Sequence, residues 1–407
     1  MKPRSKKSVP VLELTLAFFS ILLTLVSVEL VYRVYLSAGV SQKTDDYWVF
    51  DDWITEYNRE LGYSYVANRS FIRVYVKNGY PVMCNEITIN ELGNTDKIKG
   101  SYEEVDLKIL VFGDSFTANT YHNGPTWPGL LQDKLEARLS KKVNVVNFGR
   151  DAYGVLQMFD LASVKVEQFK PDLVIVAFIT DDLFRARIWN TVKYINGEKR
   201  AFTLIEPSEK VDPRTSPEVA MLNPLVTKEW CESMLASPNE DDPLLEKLND
   251  QFRRLKKEKD PVDFTSFSTS FLFNKIVYGN PFHNLTKLSR IPLHTLHSFD
   301  MDSRFVENVA SLNQSNIPYY LVHLPRYEEL RAKRYILNDK QKALLQSLQD
   351  LTDQEIISLM EYYDMNSIDN LENLFLFPYD SHPSLQGLEF YAEATSEALI
   401  NRIVSDE

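Results

Sequence analysis

The sequence predicts an α/β fold organised around a parallel sheet, preceded by a membrane anchor. From residue 107 onward, apolar runs of strand length alternate with stretches of helical periodicity, and the first such run stops abruptly at Gly113-Asp114-Ser115. At the other end of the chain a basic tail leads into a long apolar segment. Strand-helix-strand order implies parallel pairing through right-handed crossovers, and sites in such sheets form where the strands end.

Taken in chain order, Lys2, Arg4, Lys6 and Lys7 precede a mostly apolar stretch from Val9 to Leu36, interrupted by Glu13, Glu29 and Arg33. That length spans a bilayer if the charged side chains snorkel at its edges. A cleaved signal peptide has a shorter apolar region and a small-x-small exit. The core from Leu14 to Val28 fits either, but the exit, "ELVYRVYLSAG", is bulky. The expectation is an uncleaved signal anchor over 9–37, with residues 1–8 as a cytoplasmic basic tail and the main domain periplasmic or extracellular.

Ile109 to Phe112 is a short apolar run bounded by Lys108 and Gly113, the pattern of a buried strand. Trp127, Leu130, Leu131, Leu135 and Leu139 then recur at helical spacing. "KVNVVNFG" (142–149) and "PDLVIVAFI" (171–179) predict two further strands, separated by a helix in "VLQMFDLASVKVEQF". The next comparable strand is "IPYYLVHL" (317–324), preceded by a helical "SRFVENVASLNQ". Between them, from about 190 to 299, lies a detour that opens on a hairpin signal at Asn196-Gly197 and becomes polar and partly helical. It reads as an insertion over the sheet, in the manner of a lid. "DSHPSLQGLEFYAEATSEALINRIV" closes the chain as a loop and an amphipathic helix.

Composition narrows the function classes. A chain of 407 residues, 44% hydrophobic and 25% charged, buries one large core or a core plus a smaller module. Its formal charge of −12 is spread without a basic stripe beyond the first residues, which argues against a nucleic-acid partner. Cys84 and Cys231 have no metal-ligand spacing; one disulfide in an oxidising compartment and two unrelated thiols are both compatible with the sequence.

Ser115 at a strand end acquires chemical meaning from "PYDSHPS", where Asp380 and His382 precede the last helix. A serine hydroxyl is a poor nucleophile at neutral pH; an imidazole must take its proton, and a carboxylate must fix the imidazole tautomer. Taken singly, Gly-Asp-Ser is an ordinary turn and His382 a capping or surface histidine. Together they are the three components of acyl-transfer chemistry.

These stretches resemble, in order, the sequence blocks of the SGNH (GDSL) hydrolases. "FGDSF" (112–116) matches the first block and makes Ser115 the nucleophile; "NFGRDAYG" (147–154) resembles the second, with Ala152 where the family usually has glycine. "ITDD" (179–182) corresponds to the family's Gly-x-Asn-Asp and puts Asp181 at the asparagine, while "YDSH" corresponds to Asp-x-x-His with the acid moved one residue to Asp380. The resemblance covers 107 to about 190 and 308 to the end. It implies a three-layer, flavodoxin-like domain over 107–407, and residues 38–106 look like the strand-rich lead-in of some membrane-anchored bacterial relatives.

The resemblance further implies catalysis by Ser115, His382 and Asp380, with Ala152, Gly154 and Asp181 on the oxyanion and substrate side and no cofactor or metal. Asp181 is expected either to be turned away from the oxyanion by Arg185 or Arg150, leaving the backbone N–H groups of Ser115 and Ala152, or to be protonated through burial beside Asp182. With the anchor, this points to an acylated envelope glycan or lipid as substrate. Hydrolysis and O-acyl transfer both remain open, and so does a non-catalytic module that binds an envelope glycan and scaffolds its assembly.

Overall fold

The structure is a computed structural model that describes residue 20 and residues 47–96, 105–121, 124–185, 187–195, 198–205, 219–259, 298–362, 370–377 and 380–403. Apart from Ser20 the predicted anchor lies outside these residues, and no helix among the described residues is long and apolar enough to cross a membrane. The chain divides into two compact units, residues 46–246 with 292–407, and residues 1–45 with 247–291. Every element described below except the distal part of one helix belongs to the larger unit.

The lead-in contributes β1 (Tyr47–Phe50), β2 (Thr55–Asn58), β3 (Gly62–Tyr65), β4 (Arg69–Lys77) and β5 (Tyr80–Ile89). The central sheet follows: β6 (Leu107–Phe112), β7 (Val143–Asn147), β8 (Leu173–Phe178), β12 (Tyr319–His323) and β13 (Ile356–Ser358), ordered β13-β12-β8-β6-β7 with every pair parallel. Because β6 is flanked on both sides and covered on both faces, it reads as an unbroken apolar run, and Ile109 to Phe112 are all buried. Alternate side chains part to opposite layers. Ile109 and Val111 pack with Trp127, Leu131, Leu388 and Leu399 from α2 (Trp127–Leu139) and α9 (Leu385–Ile403). Leu110 and Phe112 face Phe159 of α3 (Val155–Phe169), Phe305 of α6 (Ser303–Gln314) and Leu344 of α8 (Asp339–Thr352). These are the three layers that the alternation predicts, with β13 an extra strand whose three residues are too short to register as a run.

The detour after β8 differs from the lid reading. β9 (Ile188–Ile195) and β10 (Glu198–Ile205) pair antiparallel, as the Asn196-Gly197 signal requires. β11 (Val219–Leu222) then pairs with β10 and runs parallel to β1, with Val49 opposite Met221. The result is a six-stranded sheet, β5-β4-β1-β11-β10-β9, shared by the lead-in and the detour. An open strand edge presents unpaired N–H and C=O groups, and the edge of β1 is closed this way. The segment therefore opens as sheet rather than as a cover. It continues into α4 (Lys228–Ala236) and α5 (Pro243–Lys259), the latter passing into the smaller unit; 260–297 lie outside the described residues.

The two cysteines lie together with no disulfide drawn between them, Cys84 on β5 and Cys231 on α4. A hydrogen bond with Cys231 lowers the Cys84 thiol, while that bond and burial raise the Cys231 thiol.

Candidate active site

Where β6 ends, Gly113 allows the chain to pass close to its neighbours. A Cβ there would sit 2.2 Å from Thr117 Oγ1 and 2.8 Å from the Ala177 carbonyl on β8. Asp114 then caps the single helical turn α1 (Ser115–Ala118), its carboxylate accepting from the Phe116 N–H at 2.9 Å. Ser115 is the first residue of that turn and only 6% exposed.

The loop after β7 is tied to the same turn. Asn147 donates through Nδ2 to the Thr117 carbonyl at 2.8 Å and accepts the Gly149 N–H at 2.8 Å, while the Arg150 N–H donates to the Gly113 carbonyl at 2.9 Å. Gly149 packs on the α1 backbone, where a Cβ would lie 2.5 Å from the Ala118 nitrogen. Ala152 has φ +65°, the left-handed region that glycine enters freely and a Cβ makes costly. The alanine thus keeps the backbone shape expected of the usual glycine. The N–H groups of Ser115 and Ala152 have no hydrogen-bond partner among the described residues. Gly154 instead begins α3 packed on Arg185, whose Cβ a side chain at 154 would meet at 2.5 Å.

His382 arrives on the loop before α9, which is fixed by a bridge between Phe375 and Pro383 and by the Leu376 N–H donating to the His382 carbonyl at 2.9 Å. His382 Nε2 lies 2.7 Å from Ser115 Oγ, and its Nδ1 is hydrogen-bonded to Asp380 Oδ1, which also accepts the His382 N–H at 2.9 Å. One carboxylate oxygen thereby holds both backbone and ring. Burial works to raise the Asp380 carboxyl, but the hydrogen bond and charge of His382 outweigh it and hold the group below the usual carboxylate range.

Beneath the serine, Arg185 Nη1 reaches Asp114 Oδ2 at 3.2 Å, the Tyr153 carbonyl at 3.2 Å, and Asp182. Both carboxylates are fully buried, and desolvation raises both despite that arginine. Asp181 points elsewhere: its side chain is 52% exposed and pairs with Arg326 Nη1 at 2.8 Å. The arginine that turns it aside is therefore Arg326, and not Arg185, which is held by Asp114 and Asp182, nor Arg150, which is buried against Tyr65 and Asn94. Arg326 is itself set by Glu329 of α7 (Tyr327–Ala332), whose Oε2 accepts the Arg326 N–H at 2.9 Å and whose Oε1 takes the Thr180 hydroxyl at 2.5 Å. His323 lies in the same cluster, 3.0 Å from Thr180 Oγ1; burial pushes its imidazole down to about 3, so it is a neutral core residue.

Residues 109–270 match the profile of the GDSL-like lipase/acylhydrolase family. That match supports a serine esterase acting on ester bonds. None of the curated proteins compared matches the chain. Among solved structures it is similar to a lipase/acylhydrolase from Enterococcus faecalis, at 12% identity and TM-score 0.33, covering 73% of this chain and 96% of that one. It is also similar to LAE5, a hydrolase from the Lake Arreo metagenome, at 13% identity and TM-score 0.35, covering 74% and 97%. The acetylxylan esterase Axe2 from Geobacillus stearothermophilus aligns at 13% identity and TM-score 0.32, covering 71% and 92%. Likenesses this loose say nothing about substrate.

Sequence reasoning missed Arg326, Arg185 as the partner of both Asp114 and Asp182, and the buried Thr180–Glu329 pair. Only the Asp182–Arg185 spacing was a local signal; the others join residues more than seventy positions apart.

Proposed function

We propose that this chain is a GDSL-type esterase, held at a membrane by 9–37 and acting outside the cytoplasm on an acylated envelope glycan or lipid, with Ser115 as nucleophile. The observation that carries the site assignment is His382 bridging Ser115 Oγ at 2.7 Å and Asp380. Nε2 takes the Oγ proton as Oγ attacks the ester carbonyl, and the Ser115 and Ala152 N–H groups receive the oxyanion. The ionised Asp380 accepts from Nδ1–H of the imidazolium. His382 then gives its proton to the departing alcohol, leaving an acyl-Ser115. Water or a sugar hydroxyl, deprotonated by the same imidazole, attacks this ester and releases the serine, so hydrolysis and acyl transfer share every group. A pre-aligned triad supports turnover rather than glycan scaffolding. The basic front and bulky exit of 9–37 support retention in the membrane.

The test uses full-length protein in detergent. Ser115→Ala is expected to abolish fluorophosphonate labelling and aryl acetate hydrolysis, and Asp380→Asn to slow hydrolysis by up to about four orders of magnitude. Unchanged activity in either variant would remove that residue from the mechanism. Release of acid against transfer to an added oligosaccharide separates the two acceptors. A mature N-terminus near Ala38, or release from membranes by high salt, would overturn the anchor.

A further inference from the structure

We infer that Tyr121 is a positioning residue for His382, and that the lead-in sheet acts on the catalytic centre through it. The inference rests on the triad assignment above. Tyr121 follows α1 by only three residues, and its ring lies flat on the His382 imidazole, with centroids 3.4 Å apart and planes 11° from parallel. On the opposite face of Tyr121 the Arg73 guanidinium stands 3.7 Å from the ring centroid, and Arg73 in turn covers Trp48 at 4.1 Å. The stack therefore runs Trp48 on β1, Arg73 on β4, Tyr121, His382.

Arg73 and the Tyr121 backbone are fixed independently of the histidine. Arg73 donates to Thr120 Oγ1 at 2.7 Å and to the Thr120 carbonyl at 3.2 Å, and pairs with Asp151 at 3.5 Å. Thr120 Oγ1 donates to Asp151 Oδ2 at 2.6 Å, and the Tyr121 carbonyl accepts from Asn85 Nδ2 on β5. The lead-in thus grips both sides of the Thr120–Tyr121 backbone.

Such a clamp has a defined task. His382 must keep Nε2 on Ser115 Oγ and Nδ1 on Asp380 at once, and swinging the imidazole out of its plane breaks both bonds. A rigid π face at stacking distance opposes that swing, while Phe116, tilted at 44° with centroids 5.0 Å away, packs against the imidazole as well. Stacked aromatic pairs gain enough beyond their burial to change a population up to about tenfold. Aligned His382 is the population that reacts. Tyr121 needs its ring for this and not its hydroxyl.

Full-length protein in detergent is compared as wild type, Tyr121→Phe and Tyr121→Leu, by aryl acetate kinetics, fluorophosphonate labelling rate and thermal melting. Tyr121→Phe is expected to stay within about twofold of wild type, and Tyr121→Leu to lose about tenfold in kcat and in labelling rate with KM within about twofold. Wild-type kcat in a folded Tyr121→Leu protein, a loss confined to KM, or a Tyr121→Phe protein as slow as Tyr121→Leu would each overturn the inference. Should Tyr121→Leu fail to fold, Tyr121→Gln makes the same comparison with Tyr121→Phe. Ser115→Ala labelling as fast as wild type would instead show that the triad assignment fails.

Discussion

Replacing Arg185 with methionine removes a cation that touches two buried carboxylates beneath the serine turn. Asp114 and Asp182 are both fully buried, and both contact Arg185 Nη1. Taking one partner out of a buried ion pair costs about 3–5 kcal/mol, because the remaining charge has neither water nor counter-ion. Here that relief can come from protonation, so the loss depends on pH. Desolvation already holds both carboxyls above the ordinary value, and Arg185 acts to lower both. An acid raised on folding binds more protons folded than unfolded; its stabilising contribution is complete below the unfolded pKa and is lost as pH rises through the folded one. Without Arg185 that window moves upward. Thermal melting at pH 5 and pH 8 should show Arg185→Met destabilised at both, and clearly more at pH 8. A loss equal at the two pH values, or below about 1 kcal/mol at pH 8, would refute the account of Arg185 as counter-ion to a buried pair.

Two further variants probe the neighbouring turns. Asp181→Asn should fold and keep or raise esterase activity at neutral pH, since its carboxylate is half-exposed and engaged by Arg326 at 2.8 Å; an activity at least a hundredfold lower would mean that the carboxylate acts in the reaction or in substrate binding. Gly113→Ala forces a Cβ to within 2.8 Å of the Ala177 carbonyl, which as backbone cannot swing aside. It should cost about 1–3 kcal/mol and slow serine labelling, and wild-type values in both would show the turn to be looser than drawn.

The legible parts of the sequence were those set by local rules. Ile109–Phe112 announced itself because a strand covered on both faces needs no alternation, and the helices over Val155–Phe169 and Ser303–Gln314 fall where their apolar spacing put them. Asn196-Gly197 likewise marked an antiparallel pair, with Ile195 opposite Glu198. What the hairpin pairs with was not legible, because a free edge accepts any strand brought to it; β11 meeting β1 is decided by the 168 residues between Phe50 and Val219. The Tyr121 stack is of the same kind, since nothing local to Arg73 announces a histidine two layers away.

The departures from the SGNH blocks that the sequence resembles divide along the same line. Moving the acid to Asp380 looked like damage in sequence, yet a two-residue separation lets one carboxylate oxygen accept both the His382 N–H and its ring Nδ1, so the shorter spacing is compensated locally. Asp181 is compensated from 145 residues away. An ionised carboxylate facing a developing oxyanion would repel it, whereas a lost donor there costs roughly 3 kcal/mol. Arg326 averts the repulsion without restoring the donor, and Glu329 fixes Arg326 by accepting its N–H at 2.9 Å. The deficit then falls on the proposed backbone pair. On the proposed assignment, this gives Ala152 at φ +65° a reason to hold a strained conformation: its N–H is one of the two donors left to the oxyanion.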